Sequence, residues 1–224
     1  FTYRDIFLIS VIPGAIAVVL VLLIREGKRA APKARSLSLS LANLSREFRL
    51  FLAIATVFAV ANFSYAFLIL RAQDLGVAAR ETTLYYLLFN VVYAALAMPF
   101  GWLSDKMPKR HVIAAGYGVY GLLTLGFAVA TAPHHALVLF LGYGLFMALI
   151  EGTQRAYIPH LVPENLRGTA YGVFYTAIGL AALPASLIAG MLWQTFDARA
   201  PFLFASVLAI LAAFLMEGLL DRKA

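Results

Sequence analysis

The chain lacks cysteine altogether and is short of charge: 11 Asp and Glu and 18 Lys and Arg make up 13% of its 224 residues. Without cysteine, disulfides, cysteine-ligated zinc and thiol nucleophiles are excluded, and the redox compartment cannot be inferred from thiol usage. The shortage of charge excludes more. A soluble domain is about 25% charged and about 45–50% apolar, whereas here 62% of residues are apolar and the mean hydropathy is +0.85. A globule of this composition has too few polar side chains to cover its surface, and a lipid bilayer removes that requirement. No Gly-rich phosphate loop, Walker pattern, nucleophile elbow or pair of catalytic acids occurs, so neither an enzyme nor ATP-driven transport within this chain is expected. No cofactor is implied. His134 and His135 sit side by side in a turn, and His111 and His160 fall in loops. All four are expected to be solvated, and no metal site is expected without converging ligands.

What the sequence does contain is long apolar runs. A helix crossing the hydrocarbon core takes about 20 mainly apolar residues, and runs of that length occupy 6–24, 50–70, 82–103, 112–131, 136–158, 168–193 and 201–220. They show no period-2 alternation and are twice as long as a barrel strand, so the expected fold class is an all-α multi-pass helical bundle. The net charge of +7 does not indicate nucleic acid, because the basic residues are confined to gaps between these runs. Instead it gives an orientation. With seven alternating spans, one side holds fourteen of the eighteen Lys and Arg, and only Arg4, Arg71, Arg80 and Arg199 fall on the other. Basic loops stay in the cytoplasm, so the C-terminus is expected to be cytoplasmic. The one long connection, 25–49, is basic and divides the chain into 1–46, a leading helix with its linker, and 47–224, a block of six helices. Six is the number that transporters build from two three-helix repeats. The linker is expected either to rest near anionic headgroups or to be solvated.

Two motifs carry a resemblance. Between the third and fourth spans stands Gly101-Trp102-Leu103-Ser104-Asp105-Lys106-Met107-Pro108-Lys109-Arg110. It resembles the cytoplasmic-loop signature of the major facilitator superfamily (MFS), Gly-x-Leu-x-Asp-Arg-x-Gly-Arg-Arg, with Lys106 in place of the first Arg and Pro108 in place of the second Gly. The stretch from Pro159 to Gly168, with Pro163, Arg167 and Gly168, is similar to the Pro-x-x-x-Arg-Gly linker of the same family. The Gly- and Pro-bearing run 179–190 is loosely similar to the helix associated with proton-driven export. The resemblance implies the C-terminal half of a twelve-helix transporter, helices six to twelve. With a chain that opens at Phe1 and has no basic segment before its first span, a fragment of a longer protein is expected. Its partners would then be the N-terminal half, the lipid bilayer, protons and a small-molecule solute, with no nucleic acid.

Ionisable groups within the hydrocarbon layer are costly, so each one is a functional candidate. Glu151 and Arg155 lie four apart on one helix face, late in the fifth span. Glu151 reads either as a proton-binding carboxylate that couples transport to a gradient or as half of a structural ion pair locking a gate. Tyr86, Asn90 and Tyr93 share one face of the third span. With Asn62, Tyr65 and Tyr175 they are the expected wall of a substrate cavity, the alternatives being interhelical hydrogen bonding and interface anchoring. The resemblance adds Gly101, Asp105, Lys109, Arg110 and Arg167 as gating or coupling residues. The expected function is secondary active transport of a small organic solute across an inner membrane by alternating access, proton-coupled efflux being the direction the resemblance favours. A scaffold, sensor or intramembrane enzyme is the alternative.

Overall fold

Lipid leaves no water to satisfy backbone N–H and C=O groups, so each apolar run closes its own hydrogen bonds as a helix. The computed structural model describes residues 3–23 and 44–220. The chain divides into two units after Ser38. The first contains helix α1 (Tyr3–Leu23). Most of the basic linker 25–49 lies outside the described residues.

The second unit is built from α2 (Arg46–Ala61), α3 (Ala66–Asp74), α4 (Ala79–Lys106), α5 (Lys109–Val129), α6 (Pro133–Leu161), α7 (Arg167–Thr195) and α8 (Ala200–Leu220). A single 3-10 turn, Glu164–Leu166, joins α6 to α7. Among the described residues six segments are long and apolar enough to cross a membrane, α2 and α3 together forming one of them. This is an all-α multi-pass membrane protein. Proline sets several boundaries: Pro108 precedes the first residue of α5, holding Met107 extended, and Pro133 opens α6 where its missing N–H costs nothing. Ser45 caps α2 by accepting from the Phe48 N–H at 3.0 Å, and its hydroxyl donates to the last carbonyl of α6, Leu161 O, at 2.6 Å. One serine thus ties the start of α2 to the end of α6.

The core is aromatic. Phe48, Phe51, Phe58, Tyr117, Tyr120, Phe127, Phe140, Phe146 and Phe202 are all buried, and Phe58 stacks on Tyr117 with ring centres 3.9 Å apart. The main pairings are α5 with α8 and α6, α4 with α6, and α2 with α8 and α7. At two glycines the backbone of a neighbouring helix comes close. A Cβ at Gly144 of α6 would lie 2.5 Å from the Phe89 carbonyl oxygen of α4. One at Gly121 of α5 would lie 2.7 Å from the Ile210 side chain of α8, whose Ser206 hydroxyl donates to Gly121 O at 2.8 Å. Small residues that admit a neighbouring backbone are how membrane helices gain packing energy, since lipid provides no hydrophobic drive between them.

The second span departs from its expected continuity. The helix breaks at 62–65 and resumes at Ala66. The local competition is visible: Phe63 N–H turns back to Ala61 O at 3.1 Å, Tyr120 Oη donates to the same oxygen at 3.0 Å, and Ser64 Oγ accepts from the Ala66 N–H at 3.3 Å. Asn62 and Ser64 are the residue types that offer the backbone such alternatives.

Arg71 is a second departure. Expected in an aqueous loop, it is instead 4% exposed. Its Nε donates to Phe127 O at 3.0 Å and its Nη2 to Ala130 O at 3.0 Å, and it pairs with Asp74. The guanidinium satisfies carbonyls that the end of α5 leaves open and complements the negative end of that helix. This seals the end of the bundle opposite the basic loops.

Candidate functional site

The α4–α6 crossing brings together three of the expected residues. Glu151 accepts from Arg155 Nη2 at 2.7 Å on its own helix and from the Tyr93 hydroxyl of α4 at 2.5 Å. The carboxylate is therefore shared between two helices, where four-residue spacing alone had indicated a self-contained pair. Arg155 is held further by α7, whose Tyr171 hydroxyl donates to the Arg155 carbonyl at 2.9 Å. One helical step away, Gln154 Nε2 donates to the buried Tyr117 hydroxyl of α5 at 2.7 Å. Polar groups on four successive parts of the bundle thus meet on one stretch of α6.

From this point α4 and α6 diverge toward the end that carries Lys106, Lys109 and Arg110, here called the basic end. Between them lies a cavity of about 240 Å³ whose walls include Gly101, Ser104 and Asp105 from α4 and Gly152 and Thr153 from α6, with Tyr93 at its inner limit. A wider cavity of about 400 Å³ at the basic end is lined by Asp105, Met107, Lys109, Arg110, Tyr157 and His160. Asp105 borders both. Its Oδ1 lies 3.2 Å from Lys109 Nζ, which also donates to Ser104 O at 3.2 Å, so Lys109 caps α4 while balancing Asp105. Gly101 meets nothing within 4 Å of a built Cβ, so at this position it leaves open space. Arg110 Nε lies 3.4 Å from His111 Nε2. Arg167 is the first residue of α7.

His111 departs from the solvated state expected of it. Its Nδ1 lies 2.8 Å from both carboxylate oxygens of Glu217 at the end of α8, a bridge that fastens the basic end of the α5–α8 pair. Glu217 was not a candidate from sequence, although a lone acid in the last turn of an apolar helix is the signal that would have found it. Ser104 and Thr153 were missed as well, because a hydroxyl in an apolar run carries no charge signature. Among the described residues no group of three or more His, Asp or Glu side chains converges.

The expected cavity wall is only partly assembled. The Tyr65 and Tyr86 rings meet with centres 5.2 Å apart, joining the break in the second span to α4. Asn90 instead turns its amide to its own helix, donating to Tyr86 O at 2.7 Å. Asn62 caps the end of α2. Tyr175 is exposed and stacks with Tyr171 on α7, ring centres 6.3 Å apart. The flank of α4 bearing Leu84, Leu87, Val91, Met98 and Trp102 is likewise exposed, as is that of α7 bearing Leu180, Leu183, Leu187 and Met191.

A bundle of six apolar crossing helices, with a shared carboxylate and a polar cleft between two of them, defines a multi-pass helical membrane protein. The family model of the Major Facilitator Superfamily matches residues 49–224, and the chain belongs to that superfamily. It is 38% identical over 222 residues to an uncharacterized MFS-type transporter of Methanocaldococcus jannaschii, a match covering 96% of this chain and 56% of the relative. More distant similarity, 24% over 142 residues, links 61% of the chain to 32% of a Na(+), Li(+), K(+)/H(+) antiporter of Planococcus maritimus. The multi-drug resistance efflux pump PmrA of Streptococcus pneumoniae is 28% identical over 160 residues, covering 66% of the chain and 38% of the pump. The chain thus spans about half the length of the first of these relatives and less of the others.

Proposed function

We propose that this chain forms the C-terminal half of a secondary active transporter that exports a small organic solute across the inner membrane in exchange for protons, by alternating access. The observation that carries this reading is the Glu151 carboxylate, hydrogen-bonded at once to Arg155 on its own helix and to Tyr93 on α4. A carboxylate within a membrane span is costly unless it is partnered or works. Protonation of Glu151 removes the charge that Arg155 faces and weakens the acceptor that holds Tyr93. One proton thereby loosens the tie between α4 and α6, which is what coupling requires: a ligand acts on a conformational equilibrium only through a difference in its interactions with the two states.

In this reading the basic end is cytoplasmic, as is the C-terminus. Gly101, Asp105, Lys109, Arg110 and Arg167 serve the cytoplasmic gate, with Asp105 and Lys109 as its charge pair. Asn62, Tyr65, Tyr86, Asn90, Tyr93 and Tyr175 form this half's share of the cavity, whose other wall is the N-terminal half. The exposed apolar flanks of α4 and α7 agree with such a neighbour. The names of two relatives, an antiporter exchanging alkali cations for protons and a multidrug efflux pump, support a gradient as the energy source and export as the direction.

The test uses the full-length protein in membrane vesicles with an imposed proton gradient, offering ethidium as an organic cation and sodium and potassium as inorganic ones. Movement of at least one of these against its own gradient, abolished when the proton gradient is collapsed, is expected. Glu151→Gln should lose accumulation and keep solute exchange. Transport that is indifferent to the proton gradient would overturn the proposal.

A further inference from the structure

The cleft between α4 and α6 has features that close packing does not explain. Its two walls are made of small residues at helical spacing, Ala97 and Gly101 on α4 facing Ala148, Gly152 and Ala156 on α6. Such stripes ordinarily let helices touch. Here they do not touch: nothing lies within 4 Å of a Cβ built on Gly101 or Gly152, whereas eight residues before Gly152, at Gly144, the helices are in backbone contact. The gap of about 240 Å³ is therefore maintained rather than filled, and it has room for several waters at about 30 Å³ each.

A second, independent observation concerns polarity. Ser104 and Thr153 are each only 3% exposed and line this cleft. Other hydroxyls in these helices, such as Thr82, Thr83 and Thr124, donate to a carbonyl a turn back, but the Ser104 and Thr153 hydroxyls make no hydrogen bond to the protein. No fully enclosed side-chain N or O among the described residues lacks a partner, so these two hydroxyls open onto the cleft itself. A buried hydroxyl is stable only with a partner, and the partner must come from what occupies the cleft.

The chemistry of the walls says what that is. The only charged residue lining the cleft is Asp105 at its outer limit, and the remaining polar groups are the hydroxyls of Tyr93, Ser104 and Thr153. At the inner limit Tyr93 is hydrogen-bonded to the second carboxylate, Glu151. Hydroxyl oxygens with a carboxylate at the outer limit, and a second one behind Tyr93, favour a small hard cation over an anion or an apolar solute. The twelve residues from Tyr93 to Asp105 span about 18 Å at 1.5 Å per residue. Because Asp105 also borders the wider cavity at the basic end, the two spaces meet at that side chain.

We propose that the α4–α6 cleft is a hydrated passage by which a monovalent cation, a proton or an alkali ion, reaches Glu151 from the basic end. The inference builds on the coupling role proposed for Glu151 and gives it a route. Asp105, with Lys109 Nζ 3.2 Å away, marks the entrance, the Ser104 and Thr153 hydroxyls and their waters carry the cation, and Tyr93 delivers it to the carboxylate. The path of the coupling ion then meets the solute cavity only at Tyr93.

Silver ion tests this directly, since it is a monovalent cation that reacts with thiols and these 224 residues contain no cysteine; any cysteine elsewhere in the full-length protein is first replaced by serine. Gly152→Cys and Gly101→Cys replace residues with open space around them, so the full-length protein should tolerate both, and Glu164→Cys in the exposed α6–α7 turn reports the side of the membrane. In vesicles, silver added on the side that labels Glu164→Cys should block later reaction of Gly152→Cys with N-ethylmaleimide at least tenfold faster than silver added on the opposite side. Asp105→Asn should slow that block several-fold without changing the Glu164→Cys rate. Competition by sodium or potassium identifies an alkali-ion passage, and slowing at low pH alone identifies a proton passage. A Gly152→Cys thiol that reacts with N-ethylmaleimide but is not protected by silver would overturn the proposal. A silver rate indifferent to sodium, potassium, pH and Asp105→Asn would overturn it too. None of these readouts depends on solute transport, so a failure of the transport assay and a dry cleft are distinguishable.

Discussion

Two helix crossings in the same bundle are built in opposite ways. The α5–α8 pair is fastened along its length: His111 to Glu217 at the basic end, Gly121 against Ser206 and Ile210 in the middle, and Phe127 on Phe202 at 5.5 Å toward the other end. The α4–α6 pair is fastened only as far as Glu151: Gly144 meets the backbone of Phe89 and Tyr93, the Tyr93 hydroxyl donates to Glu151 at 2.5 Å, and beyond that point the helices part around a polar cleft. Both use glycine, yet Gly121 and Gly144 are filled by a neighbour while Gly101 and Gly152 face open space. The lesson is that a small residue in a membrane helix is either a contact or a clearance. Only the first is a stability device; the second is available for work.

Substitutions at these positions can break the comparison. Gly144→Val should have the largest effect, because its Cβ would lie 2.5 Å from a backbone oxygen that no rotamer change can move. A loss of about 3 kcal/mol or more is expected from such overpacking, seen as failure to recover monodisperse protein in detergent. Arg71→Met should follow. It strands the Phe127 and Ala130 carbonyls and leaves Asp74 alone, at a cost of about 3 kcal/mol, read as a lowered unfolding temperature. Ser206→Ala removes one of two side-chain hydrogen bonds to Gly121 O, leaving that of Thr124 Oγ1, and should cost about 1 kcal/mol in the same assay. Gly152→Ala is the mirror of Gly144→Val: with open space and a better helix former, it should leave stability unchanged or raise it by up to about 1 kcal/mol. Destabilisation by Gly152→Ala comparable to that of Gly144→Val would erase the distinction between contact and clearance.

Much of this architecture could be read in the sequence because the bilayer imposes a long-wavelength pattern. Apolar runs of the right length and basic residues in the gaps fix the span count before any packing is known. Pro108 stands just before α5 and Pro133 is the first residue of α6, positions that local proline rules explain. What could not be read depends on neighbours distant in sequence. Arg71 looks like an aqueous-loop residue until α5, over fifty positions later, presents its open carbonyls. The Tyr93–Glu151 bond joins residues 58 apart, so the i, i+4 spacing of Glu151 and Arg155 was visible while its third member was not. The break at 62–65 was half visible, in Asn62 and Ser64, but the hydroxyl of Tyr120 that fixes it belongs to α5. Asn90 shows the limit of face arguments, since sharing a helical face with Tyr86 and Tyr93 did not prevent its amide from bonding its own backbone.

The central claim is that the carboxylate on the open crossing does the coupling, whereas the carboxylate on the closed one is structural. Glu151 and Glu217 each tie two helices together, so they can be neutralised in parallel. The direct measurement is proton-gradient-driven accumulation of ethidium, or of sodium or potassium, in vesicles containing full-length Glu151→Gln or Glu217→Gln, normalised to folded protein. Glu151→Gln should abolish accumulation while exchange persists, and Glu217→Gln should retain most of the accumulation while lowering the unfolding temperature. Accumulation that survives Glu151→Gln, or that is lost equally in both variants, would contradict it.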